Sequence, residues 1–236
     1  EGTGPHPEVV LSSRIRLARN LYDLPFPQRM SDADTEKLLK AAEEGVREIN
    51  LVGFPSKVTL YRLGGTTPLD RQVLVDKHLI SPQQAKDAAT KAVAISDDES
   101  ISIMVNEEDH LRIQVLTPGL QLQEAWRTAS QVDDALEQRL QYAFDEQLGY
   151  LTACPTNVGT GLRASVMMHL PALVLTQQAG RLFHNLSQLG LVVRGLYGEG
   201  TEAAGHIFQI SNQTSLGKAE EEIISNLEAI ARTVID

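Results

Sequence analysis

The chain has 236 residues, 42% of them hydrophobic, which is enough for one sizeable domain with a buried core. Its net charge of −10 argues against a general nucleic-acid or anionic-membrane binder, because no basic surplus exists to neutralise phosphates. A single cysteine excludes an intrachain disulfide or multi-cysteine zinc site, no run nears the ~20 apolar residues of a membrane span, and no apolar N-terminal leader is visible, so the expected setting is a reducing cytoplasm.

Residues 1–11, rich in Gly and Pro, read as a flexible or extended lead-in, with one domain over 12–236. Ser12-Ser13-Arg14-Ile15-Arg16 reads as extended, and period-two alternation puts Arg14 and Arg16 on one face. Ser31 is a helix N-cap with Asp34 three residues on, and Leu38, Leu39, Ala42, Val46 and Ile49 carry the helix to Asn50. Val58, Leu60 and Arg62 alternate as in a strand. Residues 70–91 are polar and predicted helical in pieces, with Pro82 opening a turn or helix. Asp97-Asp98-Glu99 is a turn between two strands. Residues 120–148 give the clearest helical period, predicting a long amphipathic helix or helix pair through Leu122, Trp126, Ala129, Val132, Leu136, Leu140, Phe144 and Leu148. Residues 164–170 read as a strand, and 173–189 as one helix closed by Gly190. Residues 191–194 and 207–211 are short strands bracketing a glycine loop, and 219–234 form a last helix with acidic residues in its first turn. The expected class is α+β, an antiparallel-rich sheet backed by helices.

Three features carry chemistry. In Cys154-Pro155-Thr156-Asn157-Val158-Gly159-Thr160-Gly161-Leu162-Arg163, the Thr156 hydroxyl sits where it can donate to the sulfur and favour a thiolate, while Gly159 and Gly161 permit close ligand approach. Asn106-Glu107-Glu108-Asp109-His110-Leu111-Arg112 follows an apolar run. If that strand continues, Glu108, His110 and Arg112 share one face, with Glu107 and Asp109 opposite as structural groups. The loop 193–202 carries Glu199 between glycines, with Glu202 beyond it. Arginines outnumber lysines 14 to 7 in an acidic chain, which fits guanidinium forks placed locally for phosphate oxygens. Each feature alone also has an ordinary reading: a buried cysteine, or a solvated surface charge.

Taken together, the blocks SSRIRLARN (12–20), NEEDHLRIQ (106–114), CPTNVGTGLRASV (154–166) and VRGLYGEGTEAAGHIFQISN (193–212) closely resemble the phosphagen (guanidino) kinase family. LPFP (24–27), DKHLIS (76–81) and RGLYGEGTEA (194–203) favour its bacterial branch, the protein-arginine kinases. The resemblance implies ATP as donor, with Mg²⁺ carried on its phosphates. It implies nucleotide binding by Ser12, Ser13, Arg14, Ile15, Arg16, His78, Arg112, Arg163, Ala164, Ser165, Val166, Met167, Arg194, Gly195, Leu196, Tyr197, Gly198 and Glu199. It assigns Glu108, Cys154 and Glu199 to the substrate guanidine, with Glu108 as clamp and general base.

Phosphagen kinases usually carry a small helical domain ahead of the catalytic one, and the bacterial branch lacks it. That branch continues into a helical C-terminal part implicated in phosphoarginine binding and dimerisation, so a catalytic-domain fragment or minimal variant is expected here. The implied partners are protein substrates with exposed arginines, an activator protein and a Clp-type unfoldase–protease, in stress-response quality control, with no nucleic acid and no membrane. Two other readings stand beside this one: a phosphagen kinase for free arginine or a related small guanidine, and a catalytically silent module binding nucleotides or arginine-rich segments.

Overall fold

Alternation is the organising feature of the central strands. In β1 (Val10–Arg19), Val10, Ser13, Ile15 and Leu17 are buried, while Ser12, Arg14 and Arg16 face a more open side. The computed structural model describes residues 3–195 and 204–235. Helix α1 (Asp32–Leu51) starts at the expected capping box, in which Ser31 and Asp34 satisfy each other's backbone N–H groups. Strand β2 (Val58–Arg62) precedes two short helices, α2 (Pro68–Asp76) and α3 (Pro82–Lys86), matching the predicted broken helical stretch. Strands β3 (Ala92–Ser96), β4 (Ile101–Val105) and β5 (Leu111–Pro118) lead into α4 (Leu122–Glu137).

The predicted helical period beyond Glu137 is not used. Residues 140–151 instead run alongside the end of β1, with Tyr22 and Ala143 amides bonding to Gln141 and Asn20 carbonyls, and then form a small hairpin, β6 (Phe144–Asp145) and β7 (Gly149–Tyr150). Asp145 Oδ1 accepts from the amides of Gln147 and Leu148, a local turn that competes with helix. Strand β8 (Leu162–His169) is followed by two helices where one was expected, α5 (Pro171–Leu175) and α6 (Ala179–Gln188). Gln177 between them has φ +59°, and Thr176 bonds back to the Ala172 carbonyl, which ends the first helix. Strands β9 (Leu191–Gly195) and β10 (Ile207–Asn212) pair with each other, and α7 (Glu220–Ile235) ends the chain.

Eight strands form one antiparallel sheet in the order β2-β3-β4-β5-β1-β8-β10-β9. Helices α1, α4, α6 and α7 cover one face and build the main core with Ile15, Leu17, Ile113, Ala164, Val166 and Ile210. Gly45 lets α1 approach α4, since a Cβ there would meet Leu136 Cδ2 at 2.6 Å. A second cluster of Leu63, Ile80, Ala88, Val93 and Met104 packs residues 63–90 against the opposite face near β3 and β4. That leaves the opposite face of the central strands for polar side chains. Residues 4–9 are tied to the ends of the central strands through Leu120 N to Pro5 O (2.9 Å) and His169 N to Val9 O (2.8 Å), and β1 begins at Val10. Among the described residues, no helix is long and apolar enough to cross a membrane.

Candidate active site

The register of the sheet gathers the arginines. Arg16 lies directly opposite Arg163 across β1 and β8, Ala18 pairs with Arg112 across β1 and β5, and Arg194 pairs with Gln209 across β9 and β10. Cross-strand neighbours share a face, so these side chains converge on the side away from the helices. A like-charged pair directly opposite in a sheet is unfavourable by itself. The electrostatics record that cost. Burial, then Arg112 and Arg163, lower the Arg14 pKa to about 10. Burial and the charges of Arg14, Arg112 and Arg163 push Arg16 well down. Arg163 is lowered by burial, Arg194 and Arg112, with Cys154 and Glu108 acting the other way. All stay charged at neutral pH, so this wall is a concentrated positive field that a polyanion would relieve. Among the described residues, the buried Nε of Arg16 has no hydrogen-bond partner.

The opposite wall is built on turns. Asn106 adopts φ +61° and the chain reverses between β4 and β5, so the strand does not continue to Arg112 as expected. As a result Glu107 and Glu108 reach the same guanidinium: Arg112 Nη1 lies 2.8 Å from Glu107 and Nη2 2.7 Å from Glu108. Glu107 is buried and also accepts from Ser81 Oγ at 2.6 Å, whereas Glu108 is open to the cleft. Burial pushes the Glu107 carboxyl up, but Arg112, Ser81 and the Glu108 amide outweigh it and hold the group below its usual range. Asp109 is structural, as expected, accepting from Asn20 Nδ2 and Ala153 N at 2.7 Å each. It thereby ties this turn to the residue before Cys154. His110 accepts from Leu21 N at Nδ1 (2.9 Å), so its proton sits on Nε2 and is donated to Pro25 O (2.8 Å).

Cys154 is half-buried at the start of a single 3₁₀ turn over Pro155–Asn157, with Thr156 Oγ1 3.1 Å from the sulfur. The following backbone must come very close to β1. Gly161 has φ +66°, and a Cβ there would meet Ala18 O and Arg19 Nη1 at 2.6 Å. Arg19 is buried, forks onto Asp133 (Nη2–Oδ2 2.6 Å), donates to Thr160 O and lies 3.5 Å from the Tyr150 ring centre.

These elements enclose a cleft of about 310 Å³ that brings together Arg16, Arg112, Arg163, Arg194, Glu108 and Cys154. An adjoining recess of about 40 Å³ collects Ser12, Arg14, His78, Ser165 and Met167, together with Gln209. Arg14 donates to Gln209 Oε1 at 2.8 Å, and His78, at φ +59°, is lowered by burial and Arg14. Four predicted residues do not turn their side chains to either depression. Ser13 donates to Gly119 O and accepts from Gln121 N, while Ile15, Ala164 and Val166 lie in the helix-side core, because alternation sends them through the sheet. Gly195 pairs with Phe208 at the end of β9. Leu196, Tyr197, Gly198 and Glu199, with Glu202, lie outside the described residues. Sequence reading missed the grip of Glu107 on Arg112, and it missed Arg19, Gln209 and Ser81. Gln209 alone carried a usable signal, since alternation in β10 places it beside the strand of Arg194.

Residues 40–236 match the family described as ATP:guanido phosphotransferase, C-terminal catalytic domain. The chain belongs to that family. It is 88% identical over all 236 residues to the protein-arginine kinase of Symbiobacterium thermophilum and 55% identical to that of Moorella thermoacetica, covering 67% of each. It thus spans about two thirds of the length of these relatives. Among solved structures it resembles the duplicated taurocyamine kinase of Schistosoma mansoni with bound transition-state-analogue components (TM-score 0.85, 25% identity, 98% of this chain and 33% of that one). It also resembles lombricine kinase (TM-score 0.83, 25% identity, all of this chain and 68% of that one). The fold is therefore the guanidino-kinase α+β fold that the sequence blocks implied.

Proposed function

We propose that this domain transfers the γ-phosphoryl group of ATP to the guanidinium of arginine residues in proteins. The observation that carries the reading is the polarity of the cleft, cationic on the sheet side and lined by Glu108 and Cys154 on the other. High identity to protein-arginine kinases supports a protein-borne acceptor.

Phosphoryl transfer depends mainly on positioning and charge stabilisation. Arg16, Arg112, Arg163 and Arg194 would hold the polyphosphate in line, and Ser12, Arg14, His78, Ser165 and Met167 would take the rest of the nucleotide in the recess. Glu108 would accept two N–H bonds from the substrate guanidinium and take one proton as the N–P bond forms and the bond from Pγ to the ADP oxygen breaks. Arg112 already occupies Glu108, so its capture of phosphate would free that carboxylate for the incoming cation. Cys154 as thiolate would stabilise the guanidinium electrostatically, and Glu199 would supply a second carboxylate. Mg²⁺ would travel on the phosphates. Among the described residues no group of three or more His, Cys, Asp or Glu could hold a metal ion. On the strength of the family resemblance we place the activity in cytoplasmic stress-response quality control, with an activator protein and a Clp-type unfoldase–protease as partners.

The test compares catalytic efficiency on free arginine with that on an arginine-containing polypeptide. The expected product is a phosphoramidate on the polypeptide, stable to mild base and lost in acid. Efficient turnover of free arginine with no labelled polypeptide would replace this reading with the phosphagen one.

A further inference from the structure

A groove of about 270 Å³ opens beside the loop that carries Cys154. Gly159 and Thr160 line it, while Asn157 and Gly161 on the same stretch line the catalytic cleft, so the two depressions share one piece of backbone. Phe144 and Leu148 from the β6–β7 hairpin and Leu216 from the loop before α7 stand around it, 57%, 47% and 52% exposed. Three large apolar side chains around one depression differ from the scattered exposure of an ordinary surface. Their backbone is held in place: Tyr150 N donates to Gly159 O at 2.8 Å and Leu151 N to Ala143 O at 2.9 Å. Tyr150 packs edge-on against Phe144 and Tyr142, with ring centres 5.2 and 6.0 Å apart, and Arg19 lies over its ring.

Charge narrows the choice of occupant. Glu220 lines the groove with Lys218. The Tyr150 phenol is raised by burial first, with Arg19 opposing and Asp133, Glu137 and Glu220 adding. Lys218 and Glu220 cancel within the lining, so the preference comes from the chain as a whole: at net charge −10 it suits a segment that is cationic overall, and the apolar rim suits one that carries an apolar side chain.

We propose that the groove receives an apolar side chain of the substrate polypeptide, so that arginines close in sequence to Leu, Met or Phe are selected. This rests on the protein-arginine reading above and adds the local sequence it favours. Residues 157–161 join the two depressions, so a segment with its guanidinium in the cleft that lies along this stretch would, at ~3.3 Å per residue, bring a side chain roughly two to four positions away to the groove. Free arginine has nothing to place there.

Two peptides of equal charge, with one arginine flanked at those positions by Leu or by Ser, test the proposal on the 236-residue chain. The Leu peptide should be used with about tenfold higher kcat/KM, a modest value for an apolar pocket contact. Phe144→Gln on the hairpin and Leu216→Gln on the loop before α7, both exposed positions, should each lower the Leu peptide toward the Ser peptide and leave the Ser peptide unchanged. Equal use of both peptides by the unaltered chain overturns the groove alone, as does a preference retained in both variants. So would variants that change self-association with unchanged selectivity, which would mark the groove as a contact between copies. Labelling of free arginine but of neither peptide would overturn the functional reading and the groove with it.

Discussion

The two walls of the cleft differ in how they are made. The cationic wall stands on neighbouring strands of one sheet, β5, β1, β8 and β9, with β10 contributing Gln209, and each arginine is aimed by cross-strand register. The acidic wall stands on turns, where Glu108 and Cys154 are placed by side-chain bonds to backbone such as those of Asp109, His110 and Thr152. The strand wall repels itself and is held by the sheet, whereas the turn wall is satisfied locally. The lesson is that a preorganised field for phosphates needs rigid supports, while groups that grip an incoming guanidinium can sit on shorter tethers.

The sharpest way to break this comparison is to remove one cation of the strand wall that faces another arginine and one that the turn wall's carboxylates hold. Arg163→Ala should cost roughly 10²–10³ in kcat, as loss of a charge-stabilising donor does, and Lys should rescue poorly. Its melting temperature should hold or rise, because the charge opposite Arg16 is gone. Arg112→Ala should lose comparable activity and also lose stability, since two carboxylates are left without their partner. Matching thermal losses in both variants would show that Arg163 is held by favourable contacts and that the wall is not self-repelling.

On the turn wall, Glu108→Gln and Cys154→Ala should each lower kcat by about 10², while stability shifts stay within roughly 1 kcal/mol because both side chains are partly open. Iodoacetamide should inactivate the unaltered chain, and nucleotide plus substrate should protect it. Full activity of Cys154→Ala would remove the sulfur from the chemistry.

What could be read from sequence divides along the same line. The strand wall was legible because period two is a strong signal: the alternation of Arg14 and Arg16 correctly assigns one face. The same alternation sends the Ile15 side chain to the helix side, whereas the family resemblance grouped it with the nucleotide residues. The turn wall was less legible. The apolar period from Leu122 runs on past Glu137 to Leu148, but Asp145 and the Gly149 φ of +77° make a hairpin there, and Phe144 and Leu148 face solvent. No periodicity reports that Glu107 and Glu108 both turn back to Arg112, because that depends on the reversal at Asn106. The Arg19–Asp133 pair joins residues 114 positions apart, a separation that neither charge pattern nor spacing reveals.

Glu107 is the joint between the two walls, and a smaller effect should expose it. Glu107→Gln removes one of the two carboxylate charges on Arg112, leaving a neutral amide in its place, and should lower kcat/KM about tenfold, less than the ~10² that a fully misplaced group can cost. Ser81→Ala, which removes the 2.6 Å bond to Glu107, should act in the same direction and more weakly. A Glu107→Gln variant with unchanged KM for ATP and unchanged kcat would mean that Glu108 alone positions Arg112.

The smallest expected effect separates the walls by pH. Arginines do not titrate below neutrality, and even Arg14, lowered to about 10, is fully charged there. His110 is different. Burial lowers it from 6.5, more than the Pro25 bond and the charges of Asp109 and Asp23 raise it. Below pH 6.5 the unfolded chain therefore binds a proton that the folded chain still refuses. The stability His110 contributes above that pH is then lost progressively as the pH falls through its lower folded value. Protonation also removes the Nδ1 acceptor of Leu21 N, loosening residues 21–25 beside the Glu108 turn. In His110→Gln an amide can still accept and donate but does not titrate, so its melting temperature should fall less steeply than that of the unaltered chain as the pH drops below 6.5. Parallel slopes would place the acid sensitivity elsewhere and leave the turn wall as indifferent to pH as the strands.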